Sequence, residues 1–467
     1  MTIHNFLVVS FPLLCAGCKV GPDFKLPVFS AGDAWKEQRV GRDARLPDSW
    51  WKLFGDGDLN QLVVRALAAN NDIAAAKARM DTARALTGVD RARLFPRLDL
   101  NGSAGISRVS QDAVTRNLPP GVAVDLESER YRATFDLSYD PDLWGRNKRL
   151  LEAGNADAAG AEALLDVQRL GIATEVCRQY FLLRGLDAQE AVLRDTISSR
   201  ESGHDVLRSR TDAGLADGLS TSQARAEIEL ARNDLASVQR QRGAAEHALA
   251  VLCGTLPASF SVGAKSSAAK LPEWRAGLPA QVLHRRPDVR AAEMELRAAN
   301  ARIGVAEAAF YPNFPLTASA GFESLEPKRF LDWQNRVLAL GGGLAQPVFN
   351  AGSNRANFDA AVAGRDEALA NYRNRLLTAL REVEDALLDL KALAASRKAL
   401  ERALAASGEA KSLAQERFEK GLTNYLEVVD SDRTTLNVRL LLAQSIAQER
   451  IAWAALAKAL GGGWSGK

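Results

Sequence analysis

The sequence predicts a mainly α-helical, internally duplicated chain that carries four short amphipathic β-strands. Three observations predict it. Two very long stretches keep apolar residues at helical spacing, four runs alternate apolar and polar residues, and the whole order of segments occurs twice. The 467 residues are 47% hydrophobic, 25% charged and 6% aromatic, too apolar and too evenly charged for a disordered chain. Sixty basic against 57 acidic residues leave a net charge of +3, which provides no bulk attraction for nucleic acid. No run of about 18 apolar residues occurs, so a helical membrane span is excluded. On composition alone the chain reads as large, helical and soluble.

The N-terminus revises that reading. The apolar run Phe6 to Leu14 followed by Cys15-Ala16-Gly17-Cys18 reads as a signal peptide over residues 1–17, too short for a stable span. Small residues before Cys18 suit lipoprotein processing, with diacylglycerol and acyl chains added at Cys18; an ordinary signal with an incidental cysteine is the alternative. Residues 18–57 form an extended N-terminal segment.

Repetition organises the rest. Asn71-Asp72-Ile73 stands 216 residues before Pro287-Asp288-Val289, and the same offset carries Phe95-Pro96 onto Tyr311-Pro312 and Ser103-Ala104-Gly105 onto Ser319-Ala320-Gly321. Further on the offset is 207, relating Gly145 to Gly352, Gly214-Leu215 to Gly421-Leu422 and Gly254 to Gly461. The change falls between Ser107–Glu129 and Glu323–Gln334, as expected of a loop that absorbs an insertion. The first repeat therefore covers 58–254, a linker 255–280, the second repeat 281–461 and a tail 462–467.

Strands are predicted at about 97–108, 130–140, 313–323 and 333–345. Leu98, Leu100, Ala104 and Ile106 alternate with polar residues, as do Tyr131, Ala133, Phe135, Leu137 and Tyr139. Phe314, Leu316, Ala318, Ala320 and Phe322 continue the pattern, which is weaker at Leu338, Leu340, Gly342 and Leu344. Period two places one apolar and one polar face on each strand. Such strands fit two hairpins on a helical core, or a membrane barrel with about 9–11 residues per strand and a wet lumen.

Helical hairpins are predicted at about 145–252 and 354–460. Between Gly145 and Ala213 there is no proline, and Leu164, Val167, Val176, Tyr180 and Leu183 recur at helical steps. A helix of that length spans on the order of 100 Å. Long paired helices of small and apolar residues favour close coiled-coil packing, and periodicity allows a solid bundle. The turns carry Gly214-Leu215 and Gly421-Leu422, the glycines ending helices and the leucines standing at tips that should be solvated. Past the second turn, Glu427 and Asp430 share one helix face, where the first half has Ser220 and Gln223.

Enzyme signatures are missing. The four histidines (His4, His204, His247, His284) lack ligand spacing, Gly341-Gly342-Gly343 is no phosphate loop, and neither Ser103 nor Ser319 sits in a nucleophile elbow. No metal or cofactor is expected besides the lipid. Cys177 and Cys253 each lie 38 residues from Leu215, so an antiparallel pair sets them at similar height. A disulfide and two small core residues are the alternatives.

Several motifs point one way. Cys18-Lys-Val-Gly-Pro-Asp-Phe-Lys-Leu-Pro27, then Trp50-Trp51-Lys52-Leu53-Phe54, then Gly277-Leu278-Pro279 with His284-Arg285-Arg286-Pro287-Asp288-Val289, resemble the outer-membrane efflux lipoproteins of the OprM/NodT group, the TolC-like family. The resemblance covers essentially the whole mature chain. It implies a homotrimer with a twelve-stranded β-barrel, four strands per protomer, continuous with a long α-helical barrel through a mixed equatorial region. It implies a gated passive exit duct for small molecules or drugs, lipid-anchored in the outer membrane, extending into the periplasm. The implied partners are a periplasmic adaptor and an inner-membrane pump of RND type. Gly214, Leu215, Gly421 and Leu422 would be the docking tips, and Leu426, Glu427 and Asp430 the periplasmic gate. The competing class is a lipid-anchored periplasmic coiled-coil scaffold without a pore.

Overall fold

The computed structural model describes residues 19–29, 32, 34–37, 46–110, 125–214, 217–265, 271–272 and 279–463. Cys18 and Leu215 lie outside the described residues. The chain divides into two compact units, one of Met1–Leu26, Asp81–Ala159 and Met294–Ala370, the other of Pro27–Met80, Gly160–Glu293 and Asn371–Lys467. Its elements run α1 (Gly57–Ala69), α2 (Asn71–Ala92), β1 (Arg97–Arg108), β2 (Glu127–Tyr139), α3 (Arg146–Asp212) and α4 (Gly218–Leu252). There follow α5 (Pro279–Arg285), α6 (Pro287–Ala308), β3 (Leu316–Ser324), β4 (Arg336–Gly342), α7 (Ser353–Glu419) and α8 (Tyr425–Ala459).

In the first unit the strands form one antiparallel sheet in the order β1-β2-β3-β4. The register keeps apolar residues in rows: Leu98 faces Leu137, Leu137 faces Ala318 and Ala318 faces Leu340, while Leu100, Phe135, Ala320 and Leu338 form the next row. This face is bare, with Leu100 65% and Leu340 88% exposed. On the other face the Asp136 carboxylate accepts from Asn101 Nδ2 at 2.7 Å, Thr134 Oγ1 at 3.1 Å and Ser319 Oγ at 2.6 Å. Gly321 lies opposite Thr134, where a Cβ would come within 2.1 Å of the Ala133 carbonyl oxygen.

Both strands of the second half start later than the alternation suggests. Residues 313–315 precede β3, because Pro315 has no N–H for the ladder, and Asn313 joins Ala345 only through an isolated bridge. Residues 333–335 form a 3₁₀ turn, closed by the Asn335 N–H to the Asp332 carbonyl at 2.8 Å, so the fourth strand starts at Arg336.

The second unit holds the greater part of the helices. The α3/α4 pair has 67 and 35 residues, and so has the α7/α8 pair. Its core is aromatic: Phe54 lies 4.6 Å from Phe181 and 4.9 Å from Trp453, ring centre to ring centre. Trp50 and Phe54 belong to a 3₁₀ helix, Trp50–Phe54, so this part of the segment read as extended is helical and buried. Asp56 accepts from the N–H groups of Asp58 and Leu59, capping α1, and from the Tyr180 hydroxyl at 2.7 Å. Arg286, 4% exposed, donates to the Ala459 carbonyl at the end of α8 and pairs with Asp288 and Glu382. Cys177 and Cys253 are both buried free thiols, with Cys253 directed at the Leu62 carbonyl. Among the described residues no helix is long and apolar enough to cross a membrane.

Candidate functional site

The two helix turns are built around the same glycine, and their described bonds correspond. At the second, the Gly421 N–H donates to the Phe418 carbonyl and the Leu422 N–H to the Arg417 carbonyl, at 3.0 and 2.9 Å. These bonds satisfy two orphan carbonyls of α7 and require the left-handed conformation that Gly421 adopts at φ +72°. Gly214 takes φ +73° after α3, its N–H donating to Thr211, and Asp217 then caps α4 through the Ser220 N–H at 2.9 Å. Leu422 is 66% exposed, an apolar side chain held in water by a closed turn.

Asn424 caps α8 through the Glu427 N–H. From there α8 buries Val428 and Val429 and leaves Leu426, Glu427 and Asp430 exposed. Thr434, Asn437 and Leu441 continue that exposed side at steps of three and four, one stripe along the helix. Leu426, 47% exposed, and Asp430 thus share an exposed face, with Arg433 Nη1 3.9 Å from Asp430 Oδ1.

The opposite side of the same helix turn is tied down. Asp432 receives Arg200 Nε and Nη2, both at 2.8 Å, and Lys411 Nζ at 2.6 Å. Arg433 donates Nε to Glu227 at 3.0 Å and pairs through Nη2 with the same oxygen. Arg200 Nη1 donates in turn to the Glu227 carbonyl at 2.6 Å. The network joins α3, α4, α7 and α8, and its members Arg200, Glu227 and Asp432 are largely shielded from water. Beside it lies a cavity of about 190 Å³ lined by Val206, Leu207, Phe418, Tyr425, Val428 and Val429. Burial pushes the Tyr425 hydroxyl's pKa up. Sequence reading missed Arg200, Glu227, Lys411 and Arg433, whose partners lie as far as 232 residues away. Among the described residues, no group of three or more His, Cys, Asp or Glu could hold a metal ion.

The profile of the outer membrane efflux proteins matches residues 62–255 and again 278–462. The chain belongs to this family. It is similar to the outer membrane protein OprJ of Pseudomonas aeruginosa, 32% identical over 457 residues, covering 97% of this chain and 94% of OprJ. It is also similar to the cation efflux system protein CusC of Escherichia coli, 30% identical over 465 residues, with 97% of each chain covered. The fold follows the solved outer-membrane channel OprN with a TM-score of 0.88 at 30% identity, covering 95% of this chain and 99% of that one. A TolC-like efflux channel of the outer membrane is a transport protein, and its family is one of conduits rather than enzymes.

Proposed function

We propose that three copies of this chain close a twelve-stranded barrel above a helical tunnel, forming the gated exit duct of a tripartite efflux system. The observation that carries the reading is the sheet itself. Its apolar face is exposed, its opposite face is hydrogen-bonded and polar, and β1 and β4 are edges without a partner among the described residues. In lipid an open edge leaves backbone groups unpaired at several kcal/mol each, so β1 of one copy must meet β4 of the next. Aromatic residues gather at both ends of the strands, Phe322 and Trp333 at one and Tyr139, Trp144 and Tyr311 at the other, as girdles at the two interfaces do. The repeated 67- and 35-residue helices support the duplication: each half supplies one strand pair and one helical hairpin.

Cys18 would carry the lipid that anchors the protomer. Gly214, Leu215, Gly421 and Leu422 would receive the hairpin of a periplasmic adaptor, the exposed Leu422 supplying apolar contact. The cargo, small molecules or drugs, would be chosen by an inner-membrane pump of RND type. Around a threefold axis the exposed Leu426, Glu427 and Asp430 would form the constriction, apolar residues narrowing it and carboxylates favouring cations. Opening then requires α8 to leave its ties at Asp432 and Arg433.

The test is reconstitution in planar bilayers after isolation as a heat-modifiable trimer. D430N/E427Q channels should leak more and discriminate less for cations; unchanged conductance and selectivity would refute the gate. A water-soluble species on loss of the lipid, with no conductance, would refute the pore.

A further inference from the structure

Immediately after Cys18 the chain enters a seat built for it, and every part of that seat lies in the first unit. Arg149, on the first turn of α3, has a side chain only 1% exposed. Its fork donates Nε to the Val20 carbonyl at 2.9 Å, Nη2 to the Gly21 carbonyl at 2.6 Å and to Asp23 at 3.1 Å, and Nη1 to Glu152 at 3.0 Å. Three of these four bonds go to the five residues Lys19–Asp23. Lys19 adds an ion pair to the same Glu152. The Asn300 side chain donates to the Pro22 carbonyl at 2.8 Å, and Arg297 lies over the Phe24 ring at 5.0 Å.

Glycines clear the space. Gly21 takes φ +89°, and a Cβ there would lie 2.4 Å from the Cα of Gly304. A Cβ on Gly304 would meet Arg149 and the Val20 carbonyl, each at 2.8 Å. Backbone therefore touches backbone at this point, and the guanidinium closes over it. A buried, forked cation that binds two main-chain carbonyls and a carboxylate of one short segment is a peptide-binding site, here occupied in cis.

The seat has a defined height. The Val20 N–H donates to the Trp144 carbonyl at 3.1 Å. Trp144 follows shortly after β2, stacks on Tyr311 at 4.7 Å and donates its indole N–H to the Pro312 carbonyl, at the foot of the sheet. We infer that Arg149 and Gly304 form a receptor for residues 19–23, with Gly21 at the point of closest approach, that fixes the depth at which the lipid on Cys18 enters the membrane, level with the aromatic foot of the strands. Cys18 is one peptide step, about 3.8 Å between Cα atoms, from Lys19, so an anchored Lys19 holds the start of the acyl chains to within a few ångströms. This rests on the reading of Cys18 as acylated and of the sheet as membrane-inserted.

The experiment uses the full-length protein in liposomes, with a fluorophore on K25C and lipids brominated at different depths. Mass spectrometry of the N-terminal peptide reports the lipid independently, and the rate of tryptic cleavage after Lys19 reports the seat in the unlabelled protein. Wild type should show one narrow quenching depth and slow cleavage. R149A and G304A should keep the lipid, spread the quenching depth and raise the cleavage rate at least tenfold, with R149K between them. An unchanged depth profile and cleavage rate in lipidated, trimeric R149A and G304A would overturn the inference. Faster cleavage with an unchanged depth profile would overturn the depth assignment alone. Absence of lipid from the wild type would overturn the acylation reading and the depth assignment with it, while the cleavage rates would still decide the receptor.

Discussion

Replacing Asp432 by Asn should open the channel, and the size of the effect follows from its contacts. Asp432 receives two N–H groups from Arg200 on α3 and one from Lys411 on α7. Lys411 belongs to the same helical hairpin as α8, so its bond need not break when that hairpin moves as a unit. The Arg200 bonds cross between hairpins and must break. Hydrogen bonds to charged groups contribute about 1.5–3 kcal/mol, and this one is only slightly exposed, with Asp432 at 14%. Losing about 2 kcal/mol from the closed state alone shifts the open-to-closed ratio roughly 30-fold. A channel closed about 99% of the time would then be open roughly a quarter of the time. The assay is mean current through single trimers in planar bilayers, for wild type, R200M, D432N and the double variant. The two single effects should overlap, so that R200M/D432N conducts little more than either alone. A current within twofold of wild type in all three variants, with heat-stable trimers, would refute the argument that this ion pair holds α8 closed.

Three further outcomes are expected. Leu422→Asp should reduce recovery of a bound adaptor at least tenfold while leaving trimer melting unchanged, since the side chain is already in water. Asp288 is disfavoured as an anion by burial, but its bonds to Arg286 outweigh this and hold its pKa below the usual carboxylate range. That stabilisation is present above a pH of about 4 and is lost as pH falls through the depressed value, so D288N should flatten the decline of melting temperature in acid. Cys177 and Cys253 should resist maleimide in the folded trimer and react as two free thiols after denaturation without reductant, because burial pushes both thiols up.

Local periodicity carried much of the fold. Alternation placed β1, whose Leu98, Leu100, Ala104 and Ile106 share one face, and the proline-free stretch after Gly145 placed α3. Glycine chemistry located both turns at Gly214 and Gly421. What periodicity cannot carry is pairing between distant segments. Arg200 and Asp432 are ordinary charged residues on ordinary helices until packing brings them together, and no spacing rule joins positions 232 residues apart. Arg149 was equally silent, since two of its partners are main-chain carbonyls, which every residue possesses. The 3₁₀ helix at Trp50–Phe54 escaped because five residues are too few to display a period.

The core of the second unit has a consequence for synthesis. Trp50 lies 6.1 Å from Trp453, and a Cβ on Gly463 would come within 2.2 Å of the Leu46 carbonyl. Residues near 46–54 and near 453–463 therefore close the same core. Until Trp453 has been made this core lacks the contacts of that ring with Trp50 and Phe54, and early burial cannot be completed. A polypeptide assembled so that its ends meet last stays pliable until it has been released. That is the condition a protein needs when it must be threaded across one membrane before folding at another.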